Sequence, residues 1–248
     1  MKHLASKRLL LLAGLLAVTM MVSASPSLLN LDIHVDLRDN GDAEITETRQ
    51  MSIDSEGTEV YIVMGNLNGR TITDFYVTDE TGQKYTNVGD WEVNRSREWK
   101  TGKCGIVRKQ DGYELCWGLG KSGERTYIAH YVVTDLVLSF KKSDGFNWMF
   151  ATRDMNPSPQ RVNIEIEASD RESGLPEDSI SVWLFGNRNG IIQKMDNTVE
   201  ASVLNMTSDE SVIVMMELQK GLLHPKKSEN RTFKKVRKKA FEGSDYEE

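Results

Sequence analysis

Between Leu28 and Leu223 the chain has no stretch in which apolar residues return every three or four positions. That absence excludes a helical bundle, a coiled coil and the alternating strand–helix units of a parallel α/β fold. Cysteine is scarce, at two in 248 residues, and proline nearly so, at five. A disulfide-dense miniprotein, a multi-zinc scaffold and a proline-rich linker are therefore excluded. Basic side chains (31) are outnumbered by acidic ones (37), for a formal charge of -6, so a nucleic-acid partner recruited by overall charge is not expected. None of the four histidines stands in a Gly-x-Ser-x-Gly or comparable nucleophile context.

What is present begins with an address. Lys2, Lys7 and Arg8 precede an uninterrupted apolar or small run from Leu9 to Val22, too short for the ~20 residues of a membrane-crossing helix. Val22-Ser23-Ala24 then supplies the small residues read by a signal peptidase. The pattern predicts a signal peptide over 1–24 and an exported mature chain, with an uncleaved signal anchor as the alternative. Export changes the reading of Cys104 and Cys116, which flank a turn signal at Asp111-Gly112. A hairpin centred on Gln110 sets the two cysteines opposite each other, and in an oxidising compartment a disulfide is expected. Two free thiols or a metal pair are the alternatives, although two ligands alone do not make a zinc site.

The body of the chain alternates with period two. Leu31, Ile33, Val35 and Leu37 interleave with Asp32, His34 and Asp36, which reads as a half-buried strand. Asp39-Asn40-Gly41-Asp42 turns the chain into a second, Thr-rich strand over 43–53. Further candidate strands cover 58–64, 70–78, 98–104, 113–117, 124–134, 161–168, 180–185, 191–195, 198–205 and 211–218, separated by Gly, Asp and Asn clusters. Such spacing predicts an all-β protein, an antiparallel β-sandwich of immunoglobulin-like style, over 25–224. A lapse at 153–159 marks either a seam between two β subdomains or a crossover between the sheets of one sandwich. Residues 226 to 239 then carry eight basic side chains against one glutamate. Phe233, Val236, Ala240 and Phe241 share one helical face there, so 225–248 reads as a tail with a short basic amphipathic helix, a segment suited to contact with a membrane.

Several constellations dissolve on inspection. Gly118-Leu119-Gly120-Lys121-Ser122-Gly123 matches G-x-G-x-x-G, but a strand follows where a dinucleotide site needs a helix, so a glycine-rich hairpin turn is expected. Asp36, Asn40, Gly41 and Glu47 fit four positions of a calcium loop, but Arg38 occupies a ligand position and strands flank it. Asp32, His34 and Asp36 lie about 6.5–7 Å apart along one strand face, a long reach for one ion, and read as a solvated polar face. His130 sits between apolar neighbours on both faces of its strand and reads as a buried, hydrogen-bonded imidazole. Tyr113, Leu115 and Trp117 form a core stripe, whereas Trp91 and Trp99, in polar surroundings, are candidates for an exposed binding surface. Neither cofactor nor metal nor catalytic residue is called for by the pattern.

Taken in order, a set of stretches resembles a bacterial family, the N-terminal extracytoplasmic part of predicted membrane proteins designated domain of unknown function 2207. They are Asp39-Asn40-Gly41 with Ile45-Thr46-Glu47-Thr48, Gly57-Thr58-Glu59-Val60-Tyr61-Ile62, Ile72-Thr73-Asp74-Phe75-Tyr76-Val77 and Lys103-Cys104-Gly105-Ile106. Tyr113-Glu114-Leu115-Cys116-Trp117-Gly118-Leu119-Gly120 and Gly123-Glu124-Arg125-Thr126-Tyr127 with Tyr131 continue the series. The tail around Phe233 and Ala240-Phe241-Glu242-Gly243 is similar to the segment preceding the membrane portion of such proteins, so a membrane span is expected after Glu248. The resemblance implies an exported β-rich domain with no assigned activity. The expected function is non-catalytic binding or assembly at the cell envelope, with an envelope protein or a glycan as partner. A glycan binder or hydrolase and a metal-dependent adhesive domain are the alternatives.

Overall fold

The structure, a computed structural model, describes residues 26–244 and 246. The expected signal peptide over 1–24 lies outside the described residues. In chain order the first strands are β1 (Ser27–Leu37), β2 (Ala43–Ile53), β3 (Glu59–Gly65), β4 (Ile72–Asp79) and β5 (Thr86–Asp90). A single helical turn, α1 (Arg97–Lys100), precedes β6 (Lys103–Lys109), β7 (Gly112–Gly118) and β8 (Gly123–Val133). The second half holds β9 (Leu138–Ser139), β10 (Ser143–Ala151), β11 (Pro159–Glu167), β12 (Ile180–Phe185), β13 (Ile191–Met195), β14 (Thr198–Leu204) and β15 (Val212–Gln219). Helix α2 (Phe233–Glu242) closes the series.

These strands build a β-sandwich from three sheets. One sheet has seven strands in the order β13-β14-β11-β1-β2-β8-β4. Two four-stranded sheets, β12-β15-β10-β9 and β3-β7-β6-β5, share its inner side. The period-two pattern sets this directly: Leu31, Ile33, Val35 and Leu37 of β1 are all buried, while Asp32 and His34 face outward. Facing them across the core are Val212, Val214, Met216 and Leu218 of β15 and, from the smaller sheet, Leu115 and Trp117 of β7. Fully burying each such aliphatic side chain stabilises the fold by about 1.5–3 kcal/mol. Most neighbours are antiparallel, but β1 and β11 run parallel, as do β5 and β6. The chain leaves β8 for β9 and β10 in the opposite sheet and returns through 152–158, so β11 reaches β1 by a crossover rather than a hairpin.

The basic tail ends as a third layer. Phe233, Val236, Ala240 and Phe241 of α2 pack on Leu138, Phe140, Phe185 and Met215, covering the face of β12-β15-β10-β9 that points away from the main core. The Phe233 ring meets Phe140 edge-on at 5.2 Å and Phe241 meets Phe185 in the same way at 5.2 Å. The amphipathic helix expected from the sequence is present, and its apolar stripe is buried in protein.

Three sequence expectations are corrected here. The stretch 98–104 is not one strand: Ser96 caps α1 by accepting a hydrogen bond from the Trp99 amide, and β6 starts only at Lys103. The Gly118–Gly123 segment is not a hairpin turn, because β7 and β8 belong to different sheets and the loop carries the chain between them. Its carbonyl at Gly120 accepts hydrogen bonds from Arg97 at 2.8 and 3.1 Å, and its amide donates to Tyr127 Oη at 3.1 Å. The expected disulfide is not formed, and both thiols are free and buried. The β6–β7 hairpin pairs Cys104 with Trp117 and Gly105 with Cys116, a register one residue off the one centred on Gln110. A shift of one residue sends a side chain to the other face. Cys104 therefore joins Trp117 in the core, while Cys116 points to the outer side of the small sheet.

Candidate functional site

The outer face of the seven-stranded sheet brings residues from every strand into one line. Reading across neighbouring registers, Gln193, Glu200, Glu165, His34, Thr46, His130 and Tyr76 form a single row. A parallel row holds Ile191, Ser202, Asn163, Asp32, Thr48, Ile128 and Thr78. The two rows floor a groove of about 570 Å³ over the β13–β2 part of the sheet.

Polar contacts link these side chains strand to strand. Gln193 donates to Glu200 at 3.1 Å, Ser202 to Asn163 at 3.2 Å, and Asn163 to Asp32 at 2.7 Å. His34 Nε2 lies 3.0 Å from Glu167, and His130 Nδ1 lies 2.9 Å from the Thr46 hydroxyl. At one end the Tyr76 ring stacks on His130 with centroids 4.5 Å apart, and the Lys84 ammonium sits 3.9 Å over Tyr76. Partial burial, with Lys84 as a lesser cause, holds the His130 imidazole below its ordinary value, so the neutral ring is favoured. His130 is half-buried rather than fully enclosed, because its face of β8 is the open one.

Glu165 and Glu200 stand directly opposite each other on neighbouring antiparallel strands. Like charges in that position destabilise a sheet. The carboxylate of Glu200 has Gln193 beside it, whereas Glu165 has no hydrogen bond or ion pair among the described residues. Beyond the groove's end Arg38 gathers Asp36 at 3.1 Å, Glu44 at 2.7 Å and Asp170 at 3.0 Å, and this company raises its guanidinium pKa. Asp32, His34 and Asp36 thus engage Asn163, Glu167 and Ser169 separately and do not converge. Among the described residues no group of three or more metal-type side chains comes together.

Of the two tryptophans expected to form an exposed surface, one is buried and the other half-buried. Trp91 is buried at 6% exposure and donates its indole N–H to Glu59. Trp99 is half-buried, tilted against Trp91 at 6.1 Å and flanked by Arg95 and Lys103 at 5.2 and 4.3 Å from its ring. Both belong to a cover over β6 and β7 anchored by Lys100, whose buried ammonium reaches Glu59 at 2.9 Å, Val93 O at 2.7 Å and Thr58 at 3.0 Å. Gly118 lies beneath, where a Cβ would come within 2.0 Å of the Lys100 carbonyl oxygen.

A buried polar network escaped the sequence reading. On the inner face of β2, Glu47 and Arg49 are 1% and 3% exposed and are joined at 2.8 Å. Tyr131 donates to Glu47 at 2.7 Å, and Arg49 lies 5.4 Å over the Trp117 ring. Burial and the Glu47 carboxylate push the Tyr131 hydroxyl well above its ordinary value. The available signal was a Glu and an Arg two residues apart on the face of Ile45 and Met51.

A family model described as the N-terminal domain of a predicted membrane protein (DUF2207) matches residues 27–217. The chain belongs to this family. The match runs from the start of β1 into β15 and so contains every strand of the groove, while α2 follows it. No curated protein matches the chain. Among solved structures, a putative protease from Parabacteroides distasonis is similar at 12% identity and TM-score 0.42, over 78% of this chain and 40% of that one. Yeast LTA4 hydrolase in complex with bestatin aligns at 11% identity and TM-score 0.47, over 77% of this chain and 28% of that one. A zinc metallopeptidase of the M1 type from Deinococcus radiodurans aligns at 9% identity and TM-score 0.34, over 78% and 42%. The DUF2207 chain thus spans less than half the length of these three proteins. Among the described residues no helix is long and apolar enough to cross a membrane.

Proposed function

We propose that this DUF2207 chain is an exported, non-catalytic β-sandwich that serves binding or assembly at the bacterial cell envelope, and that it binds through the outer face of its seven-stranded sheet. One observation carries the reading. Helix α2 covers the outer face of one four-stranded sheet and the Trp91–Lys100 segment covers β6 and β7 of the other. The outer face of the seven-stranded sheet has no such layer among the described residues and is lined instead with hydrogen-bonding side chains. Amides, hydroxyls and carboxylates there suit a polar partner, an envelope protein or a glycan. Export is supported by the Lys2–Arg8 basic region and the apolar run behind it, and by membership of a predicted membrane-protein family. Of the two tryptophans of the glycan alternative, Trp91 is buried beneath the small sheet's cover and Trp99 is half-buried.

A photo-crosslinking amino acid at Gln193 in the groove, compared with one at Gln110 on the exposed turn between β6 and β7, tests this in intact cells. The expected outcome is a discrete envelope adduct from position 193 only, on a chain that externally added protease digests in spheroplasts. Protection of the folded domain from that protease refutes export. Equal adducts from both positions refute the assigned face.

A further inference from the structure

We propose that the lysine face of α2 seats the domain on a membrane surface containing anionic phospholipid, with the groove of the seven-stranded sheet turned away from the bilayer. This deepens the envelope reading and rests on it for location. Lys234, Lys235, Lys238 and Lys239 lie on the helix face opposite Phe233, Val236 and Ala240, and all four are exposed. Only Lys238 has an ion-pair partner, Glu242 at 3.5 Å; Lys234, Lys235 and Lys239 pair with no acidic group among the described residues. Lys141 and Lys142, on the turn between β9 and β10, extend the patch, because the Lys141 amide bonds the Arg231 carbonyl just before α2.

The mode of contact follows from what the helix has already buried. An interfacial helix normally drives its apolar face into the lipid. Here that face packs on Phe140, Phe185 and Met215, so contact with a bilayer is electrostatic and superficial. The rest of the molecule sets the orientation. The helix covers the outer side of the β12-β15-β10-β9 sheet, while the groove lies on the outer side of the seven-stranded sheet across the core. That far face bears Asp32, Asp36, Glu44, Glu165, Glu167 and Glu200 against Arg38, Arg161 and Lys84, a net negative charge that an anionic surface repels. A molecule basic on one face and acidic on the other turns its lysines to the lipid.

Lysines near an anionic surface each raise the partition coefficient about five-fold, and salt suppresses the effect. The full chain is mixed with vesicles of phosphatidylcholine, alone or with phosphatidylglycerol, and sedimented. The N-terminal apolar run partitions into both kinds, and Lys2, Lys7 and Arg8 before it favour phosphatidylglycerol on their own, so the lysines of α2 are read as the difference between the wild-type chain and a chain substituted at them. Expected is a component of binding that depends on phosphatidylglycerol, disappears near 1 M salt, and falls by up to several hundred-fold with Lys234→Gln, Lys235→Gln, Lys238→Gln and Lys239→Gln combined. Those positions are exposed, so an unchanged melting temperature certifies the variant's fold. Equal binding to the two vesicle kinds, undiminished binding by the variant, or equal affinity for a DNA duplex at matched phosphate overturns the lipid assignment. For orientation, a donor dye at Asn230→Cys transfers energy to a headgroup acceptor more strongly than one at Gln193→Cys; equal transfer overturns it. Groove variants leave vesicle binding intact, so failure of the groove reading and failure of this one are told apart.

Discussion

The Phe233 ring lies so close over Gly145 that a Cβ on that glycine would stand 2.6 Å from Phe233 Cε2. Gly145 is the third residue of β10, with the Met216 carbonyl oxygen 2.4 Å from the same Cβ position. The missing side chain therefore serves both the β10–β15 pairing and the seat of α2. A basic helix that reads from sequence as a free tail is in this way a packed part of the sandwich.

Phe233→Ala is expected to remove about 3–5 kcal/mol of docking stability. Limited proteolysis checks it: cleavage within 225–244 should accelerate sharply while the sheets stay resistant. Equal cleavage of wild type and variant would show that α2 does not depend on this contact.

Native protein should show no reactive thiol, and unfolding without reductant should reveal two. Burial pushes Cys104 to about 11 and Cys116 to about 12, so neither offers thiolate at neutral pH. Titration with a thiol reagent in and out of denaturant reads both states. A value of zero after unfolding means a bridge, and the one-residue register of β6 and β7 is then wrong.

Arg49→Met should destabilise the fold by about 3–5 kcal/mol, because Glu47 is left as an uncompensated buried charge. Replacing the whole network, Glu47→Leu with Arg49→Met and Tyr131→Phe, should recover most of that loss. Denaturant melts of the two variants make the comparison. A triple variant less stable than the single one would show that the network stabilises as a unit.

The depressed pKa of His130 predicts a pH dependence of defined sign. The folded chain holds the ring neutral where the unfolded chain has begun to protonate it. Its contribution to stability is present above the ordinary value of 6.5 and is lost as pH falls through the lower folded value. Proton NMR should place the His130 midpoint below 6.5, and Lys84→Met should raise it by removing a nearby positive charge. No movement in that variant would assign the depression to burial alone.

Alternation in the sequence determined much of this protein by itself. Leu31 to Leu37, 124–133 and 212–218 are strands with the faces that their period requires, and Phe233 to Phe241 is a helix with an apolar stripe. Even the missed strand β10 carries its signal, in Phe146, Trp148 and Phe150. The polar face of Asp32 and His34 was legible too, though not its role as the centre of a groove. Periodicity describes one strand at a time, and it states neither which strand lies alongside nor at what offset. Tertiary structure decided those things. It put Gln193, Glu200 and Glu165 in line with His34, and Tyr76 and His130 at the other end of the row. It also moved β6 by one residue against β7, sending Cys104 and Cys116 to opposite faces, and folded the Trp91 segment over the small sheet. Burial of a common core fixes the packing of sheets, and with it every register that local alternation leaves open.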